Sequence, residues 1–249
     1  MRRLVRVLAV SVASLGLVAC GDGPATEGSI TVFAASSLTD AFAVVAEAFE
    51  AANEGVSVEL NFAASSALRE QILEGAPADV FASANQSNMD QLVEAGEVNG
   101  FEVFVTNRLQ IVVPAGNPAG VRGLEDFART ELLIGLCAEE VPCGDFGREA
   151  LTAAGVVAAP DTNEPDVRAL LTKVEAGELD AGLVYVTDVI AAGDGVEGID
   201  VPSEVHVEAA YPIGTVASSG DRGAADAFVA FVRSDEGQVI LEEYGFGEP

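Results

Sequence analysis

The feature that most constrains this chain is a rhythm. From residue 30 onward, short apolar runs alternate with segments whose apolar residues recur at helical spacing. Residues 30–35 (ITVFAA) form the first run. Leu38, Ala41, Phe42, Val45 and Phe49 then follow the three- and four-residue spacing of one helix face, and Gly55 ends that segment. Val56, Val58, Leu60 and Phe62 alternate as in a half-buried strand. Ser65-Ser66 leads into a helix that stops at Gly75, before Pro77; 78–83 reads as a strand and 87–98 as a helix. The pattern continues with a strand over 109–113 cut by Pro114, a short helix over 123–130 and a strand over 132–137. A loop with Pro142 and Gly144 opens another helix, Asn163-Glu164-Pro165-Asp166 starts one over 167–177, and 181–186 is a strand. Two extended runs over 205–217 and helices over 224–245 close the chain. Repeated βα units of this kind predict parallel sheets covered by helices on both faces. The 249 residues suit one large domain or two lobes of roughly 100 residues each.

Charge narrows the partners. The chain carries 40 Asp+Glu against 12 Lys+Arg, a formal charge of −28. A protein that binds phosphate backbones needs a basic footprint, so nucleic acid is excluded as a plausible partner. Docking on anionic lipid through a basic surface is disfavoured for the same reason. With 49% hydrophobic residues, the acidity does not signal disorder.

The N-terminus reads as an address. Arg2, Arg3 and Arg6 form a positive region, and Val7–Ala19 is an apolar stretch of 13 residues. A bilayer-spanning helix needs about 20 residues, so the stretch fits a secretory signal instead. Leu17-Val18-Ala19-Cys20 resembles the bacterial lipobox, in which the Cys is acylated and becomes the first mature residue. Residues 1–19 are then a lipoprotein signal peptide, Cys20 the lipid attachment (palmitate) site, and residues 20–29 a flexible tether. Ordinary secretion with an incidental Cys is the alternative. Processing would remove three Arg and no acid, leaving 9 of the 12 basic residues against all 40 acidic ones, a formal −31.

Cys137 and Cys143 remain, in LCAEEVPCG. An exported compartment is oxidising, so a Cys137–Cys143 disulfide is the default, stiffening the loop and contributing roughly 2 kcal/mol. Two Cys and the distant His206 do not make a tetrahedral metal set, and no protein ligand to a metal is expected.

Three strand-to-helix junctions carry small hydroxyl or glycine residues: Ser36-Ser37, Ser65-Ser66 and Cys143-Gly144. A fourth helix begins near Asp166-Val167. Helix N-termini leave backbone N–H groups unpaired and carry partial positive charge, so several converging on one point bind an anion without Lys or Arg. Ligands of open α/β sheets bind beyond the carboxyl ends of strands, where these junctions lie. Taken singly, Ser37 and Ser65 read equally as plain N-caps, with Asp40 three residues after Ser37 in a capping-box-like arrangement. Enzyme signatures are sparse: there is no GxSxG, HExxH or GxxxxGK[ST]. Asp79 reads as a structural residue at a strand start, and His206 as a strand residue.

These residues resemble a family, the molybdate-binding proteins (ModA) of bacterial molybdate ABC transporters. The matching segments are 32–42, 61–90, VPCG (141–144), PDVRALL (165–171), AGLVYVTD (181–188), YPIG (211–214) and EEYGF (242–246). They occur in the family's order and span nearly all of 30–246. The resemblance implies an α/β, type II periplasmic-binding-protein fold, two lobes with a ligand cleft between them. One lobe would comprise 30–104 plus 213–249 and the other 105–212. It further implies molybdate, and with it tungstate, held by uncharged donors: the hydroxyls of Ser37 and Ser65, the backbone N–H of Cys143 and Val167, and the phenol of Tyr185. Family members commonly have Ala where Cys143 stands, and a bridge there could alter the loop angle. The implied protein is a monomeric, lipid-anchored receptor on the extracytoplasmic face of the membrane. It would have no cofactor and no enzymatic activity, and would deliver the oxyanion to an ABC permease. A receptor for another tetrahedral oxyanion such as sulfate, and an anion-sensing subunit, are the alternatives.

Overall fold

The structure is a computed structural model and describes residues 28–249. The signal peptide, Cys20 and most of the tether expected from the sequence lie outside the described residues.

The first α/β layer is built from β1 (Gly28–Ala35), α1 (Thr39–Ala52), β2 (Val56–Ala63), α2 (Ser65–Leu73), β3 (Val80–Ala82) and α3 (Gln86–Glu94). A long strand, β4 (Glu102–Pro114), leads to β5 (Ile134–Cys137), α4 (Pro142–Ala153), β6 (Thr162–Glu164), α5 (Val167–Glu175), β7 (Ala181–Tyr185) and α6 (Val186–Ala192). β8 (Val196–Asp200) and β9 (Glu208–Thr215) precede the closing helices α7 (Arg222–Val232) and α8 (Asp235–Glu243). Strand β1 starts at Gly28, so residues 28–29 belong to the sheet and not to the tether. Gly28 N–H donates to Gly55 O at 3.0 Å, and Gly28 pairs with Val56.

Strand order is β2-β1-β3-β9-β4-β7-β5-β6, with β8 paired to β4 on its second half. β1 is parallel to β2 and β3, and β5 to β6 and β7, whereas β9 and β4 pair antiparallel with their neighbours. The expected parallel pairing holds within each half, and the antiparallel strands β4 and β9 make the sheet as a whole mixed. The reason lies in β4 and β9, each of which belongs to both halves of the molecule. Glu102–Arg108 of β4 pairs with Ile213–Glu208 of β9, and Leu109–Val112 continues alongside Tyr185–Gly182 of β7. Sequence periodicity placed only 109–113 in this strand because Thr106, Asn107 and Arg108 interrupt the apolar run. Pairing with β9 nevertheless keeps the backbone extended. The ladder is irregular between Val103 and Val105.

Three shorter corrections follow. The short helix expected over 123–130 is a 3₁₀ turn, Leu124–Ala128. The two extended runs expected over 205–217 are one strand, and His206 lies in the coil before it. Strands β6 and β8 and helix α6 gave no periodic signal of their own, being three, five and seven residues long. Under the first half of the sheet, Phe42, Phe49, Phe104 and Phe228 form an aromatic core with ring centroids 5.3–6.1 Å apart and tilted or edge-on contacts. Asp79 is structural, as expected. Its carboxylate accepts hydrogen bonds from Thr31 N–H at 2.8 Å, Ser219 Oγ at 2.6 Å and Gly220 N–H at 2.9 Å.

Candidate functional site

All five residues expected to hold a ligand line one cleft, between the carboxyl ends of β1, β2 and β3 and the N-termini of α4, α5 and α6. Ser37, Ser65, Cys143, Val167 and Tyr185 meet there, together with Ala35, Ser36, Ala64, Ala84, Val141, Pro142 and Asp166. None of these residues is Lys, Arg or His. The cavity is small, with about 10 Å³ open to the centre of a water molecule. That admits a ligand only a few atoms across.

Neither serine is an N-cap. Ser37 lies inside a 3₁₀ turn, Ser36–Leu38, which makes no side-chain capping bond. Its Oγ instead lies 2.8 Å from the hydroxyl of Tyr211 in β9. Ser65 is the first residue of α2, whose cap position is Ala64, and its Oγ accepts the N–H of Ala84 at 2.9 Å. With its acceptor side engaged there, the Ser65 O–H is left to donate into the cleft. Both serines are buried, at 7% and 1% exposure. The capping-box reading of Asp40 is likewise replaced: its carboxylate pairs with Arg168 of α5 across the cleft.

The opposite wall presents helix starts. Pro142 occupies the first position of α4, so the helix enters with no N–H there, and Cys143 follows with its N–H uncommitted among the described residues. The Cys137–Cys143 disulfide, with Cα atoms 5.7 Å apart, ties the end of β5 to this first turn and leaves Cys143 in the cleft. Gly144 is required by packing: a Cβ there would fall 1.8 Å from the carbonyl oxygen of Ala138. At α5 the cap is Asp166, whose Oδ1 accepts the N–H groups of Arg168 (2.8 Å) and Ala169 (3.0 Å). The first N–H of the helix, that of Val167, is thus left free to face the cleft.

Tyr185 ends β7 and begins the turn into α6. It is 1% exposed, and its hydroxyl is a buried polar atom with no hydrogen-bond partner among the described residues. Burial holds its pKa well above the ordinary tyrosine value, so the group stays a neutral donor. Behind it, Asp188 accepts Tyr185 N–H at 3.0 Å and lies 3.6 Å from Arg168. Burial of Asp188 outweighs the pull of that guanidinium and raises its pKa to about 7.

The five expected residues therefore offer three hydroxyls and two backbone N–H groups around a small space, with Ser36 and the capping Asp166 beside them. Among the described residues no three His, Cys, Asp or Glu side chains gather as metal ligands. Sequence reasoning placed Asp166 at the helix start but missed the roles of Tyr211 and Ala84, which bond the two serines. Asp166 was legible as a cap signal before VRALL; Tyr211 and Ala84 reach the serines only through long-range pairing of β9 and β3.

Comparison with known proteins agrees with this geometry. Residues 30–247 match the family described as bacterial extracellular solute-binding protein. A molybdate-binding protein ModA of Mycobacterium tuberculosis is 41% identical over 245 residues, covering 94% of both chains. The periplasmic molybdate-binding protein of Azotobacter vinelandii superposes with a TM-score of 0.76 at 19% identity, over 88% of this chain and 99% of that one. The sulfate-binding protein SubI of M. tuberculosis superposes with a TM-score of 0.80 at 22% identity, over 88% and 86%. The fold is that of the type II periplasmic binding proteins, two α/β lobes with the cleft between them. The chain belongs to the bacterial extracellular solute-binding proteins.

Proposed function

We propose that this protein captures molybdate in the cleft and delivers it to an ABC permease, with tungstate accepted on nearly equal terms. The observation that carries the reading is the buried Tyr185 hydroxyl without a partner, facing a cleft with two free helix-start N–H groups and two serine hydroxyls. Leaving a buried polar group unpaired costs roughly 1–3 kcal/mol, so such a site is built for an acceptor that arrives from outside. A tetrahedral dianion supplies four acceptor oxygens and no proton, matching the hydroxyl and N–H donors of Ser37, Ser65, Cys143, Val167 and Tyr185. Similarity to ModA proteins over nearly the full chain supports molybdate as that dianion. The donors come from both lobes, so the ligand favours the closed state through contacts made only there.

On this reading the lobes divide near 104/105 and 212/213, inside β4 and β9; the antiparallel pairing of these two strands supports a hinge there. The mature chain is a monomer without a resident cofactor or catalytic role, held to the outer face of the membrane by lipid on Cys20. Loss of palmitate labelling in Cys20→Ala tests the anchor; persistence of label overturns it.

Calorimetric titration of residues 21–249 with molybdate, tungstate, sulfate and phosphate tests the ligand. Tight binding of molybdate and tungstate with weak sulfate binding is the expected result. Tight sulfate binding with no heat from molybdate would replace this reading with that of a sulfate receptor.

A further inference from the structure

The cleft's serine Ser37 is tied to a buried chain of side chains, Tyr211, Asn107 and Thr187, that lies behind the cleft lining. Its Oγ lies 2.8 Å from the Tyr211 hydroxyl, where either oxygen could donate. Asn107 of β4 biases the direction. Its Oδ1 accepts the N–H of Arg108 at 2.8 Å, and a backbone N–H can only donate, so the amide NH₂ must point the other way. That NH₂ donates to Thr187 Oγ1 at 2.9 Å and to the Tyr211 hydroxyl at 3.4 Å. With an N–H arriving on its oxygen, Tyr211 has its single proton to place on Ser37. Ser37, accepting from Tyr211, has its own proton left for the cleft. Tyr211, Asn107 and Thr187 are 0%, 2% and 4% exposed, so water does not compete for these groups.

We infer that Tyr211 and Asn107 are positioning residues that fix the polarity of Ser37, holding its hydroxyl as a donor to a fully deprotonated oxyanion and denying an acceptor to a protonated one. The inference deepens the reading of the cleft as an oxyanion site and rests on it. Without this chain the Ser37 hydroxyl rotates freely between donor and acceptor, serving hydrogen phosphate as readily as molybdate. Buried networks of this kind transmit orientation because each member's donor count is fixed by its neighbour. The two residues also come from β9 and β4, the strands shared by both halves of the sheet. The donor polarity of one wall is thus set from the strands on which the cleft closes.

The experiment is a double-mutant cycle read by calorimetry: wild type, Tyr211→Phe, Ser37→Ala and the double variant, each titrated with molybdate and with phosphate at pH 6 and pH 8. Thermal unfolding accompanies each titration. Tyr211→Phe should weaken molybdate binding by about 5- to 50-fold. It should also narrow the molybdate-over-phosphate preference, most at pH 6. In the Ser37→Ala background the same change should shift molybdate affinity by less than about 2-fold. An unchanged affinity in Tyr211→Phe, or a full loss repeated in the Ser37→Ala background, overturns the inference while leaving the site reading intact. A wild-type chain that binds no molybdate overturns both. Should Tyr211→Phe fail to unfold cooperatively, Asn107→Ala tests the chain from its far end. It should produce the same Ser37-dependent loss and the same relaxed preference, and a loss independent of Ser37 refutes the relay.

Discussion

The two walls of the cleft solve one problem in opposite ways. On the wall of β1, β2 and β3, two serines are already bonded within the protein: Ser37 to Tyr211 and Ser65 to the Ala84 N–H. On the wall of α4, α5 and α6, the donors are orphans: the N–H groups of Cys143 and Val167 and the hydroxyl of Tyr185. One wall is oriented before a ligand arrives; the other is completed by it. On the second wall unpaired buried groups gain a partner when a ligand arrives, whereas on the first wall the serine oxygens are held by bonds made within the protein.

The largest predicted effect breaks the second wall outright. Gly144→Ala would push a Cβ into the Ala138 carbonyl and force the first turn of α4 to move, taking the Cys143 N–H with it. Overpacking of this kind costs roughly 1–3 kcal/mol of stability, and molybdate affinity should fall by more than about 100-fold. Calorimetry and thermal unfolding on the variant check both.

A sharper test contrasts one residue from each wall. Tyr185→Phe and Ser65→Ala should each reduce affinity by about 10- to 100-fold, since each removes a donor to a charged ligand. Their ligand-free stabilities should diverge. Tyr185→Phe removes an unpaired buried hydroxyl and should leave the empty protein as stable or more so. Ser65→Ala strands the Ala84 N–H and should cost about 1–3 kcal/mol. If both variants shift the melting temperature in the same direction, the distinction between the walls fails.

Reducing the Cys137–Cys143 bridge, or replacing both residues with Ser, should lower stability by about 2 kcal/mol in denaturant melts. Affinity should fall less than in Gly144→Ala, because a backbone donor survives the loss of the side-chain link.

The fourth prediction concerns Asp188, behind Tyr185. A carboxyl with a folded pKa near 7 keeps a proton that the unfolded chain, near 3.8, has released. Stability should therefore fall as pH rises from about 4 to about 7 and level off above that. Asp188→Asn should flatten this part of the profile. A wild-type profile already flat there, or a variant as steep as wild type, contradicts the assignment.

The smallest effect is kinetic. At −28 the chain should repel a dianion at long range, so stopped-flow capture of molybdate should speed up modestly as salt is added. A rate that falls with salt would mean that the mouth of the cleft is not repulsive.

Much of this molecule is legible in one dimension. The period-two and period-3.6 segments located β1, β2, α1, α3 and α5 to within a few residues, because each buries a face that its own sequence must supply. The serines, VPCG, PDVR and LVY of the cleft were found because they stand at strand-to-helix junctions within segments that resemble a known family. What stayed hidden depends on pairing between distant residues. Ser37 and Tyr211 are 174 positions apart, and nothing around either announces the other. YPIG read as a family-matching segment at the expected lobe boundary, not as the source of a hydroxyl. The first half of β4 was missed for a related reason, since its extended form is imposed by β9.

One contact described above acts whether or not the cleft is filled. Arg168, at the start of α5, pairs with Asp40 on the opposite side and lies 3.6 Å from Asp188 on its own. A clasp of this kind lowers the free energy of the shut form equally with and without cargo, so it raises the apparent affinity by enlarging the fraction of molecules already competent to bind. The same gain blurs the signal that a downstream transporter must read, because some shut molecules are empty. Arg168 is about one-quarter exposed and Asp40 nearly one-half, which keeps the clasp weak and open to screening by salt. A tighter lock would hold scavenged ions better and report them worse.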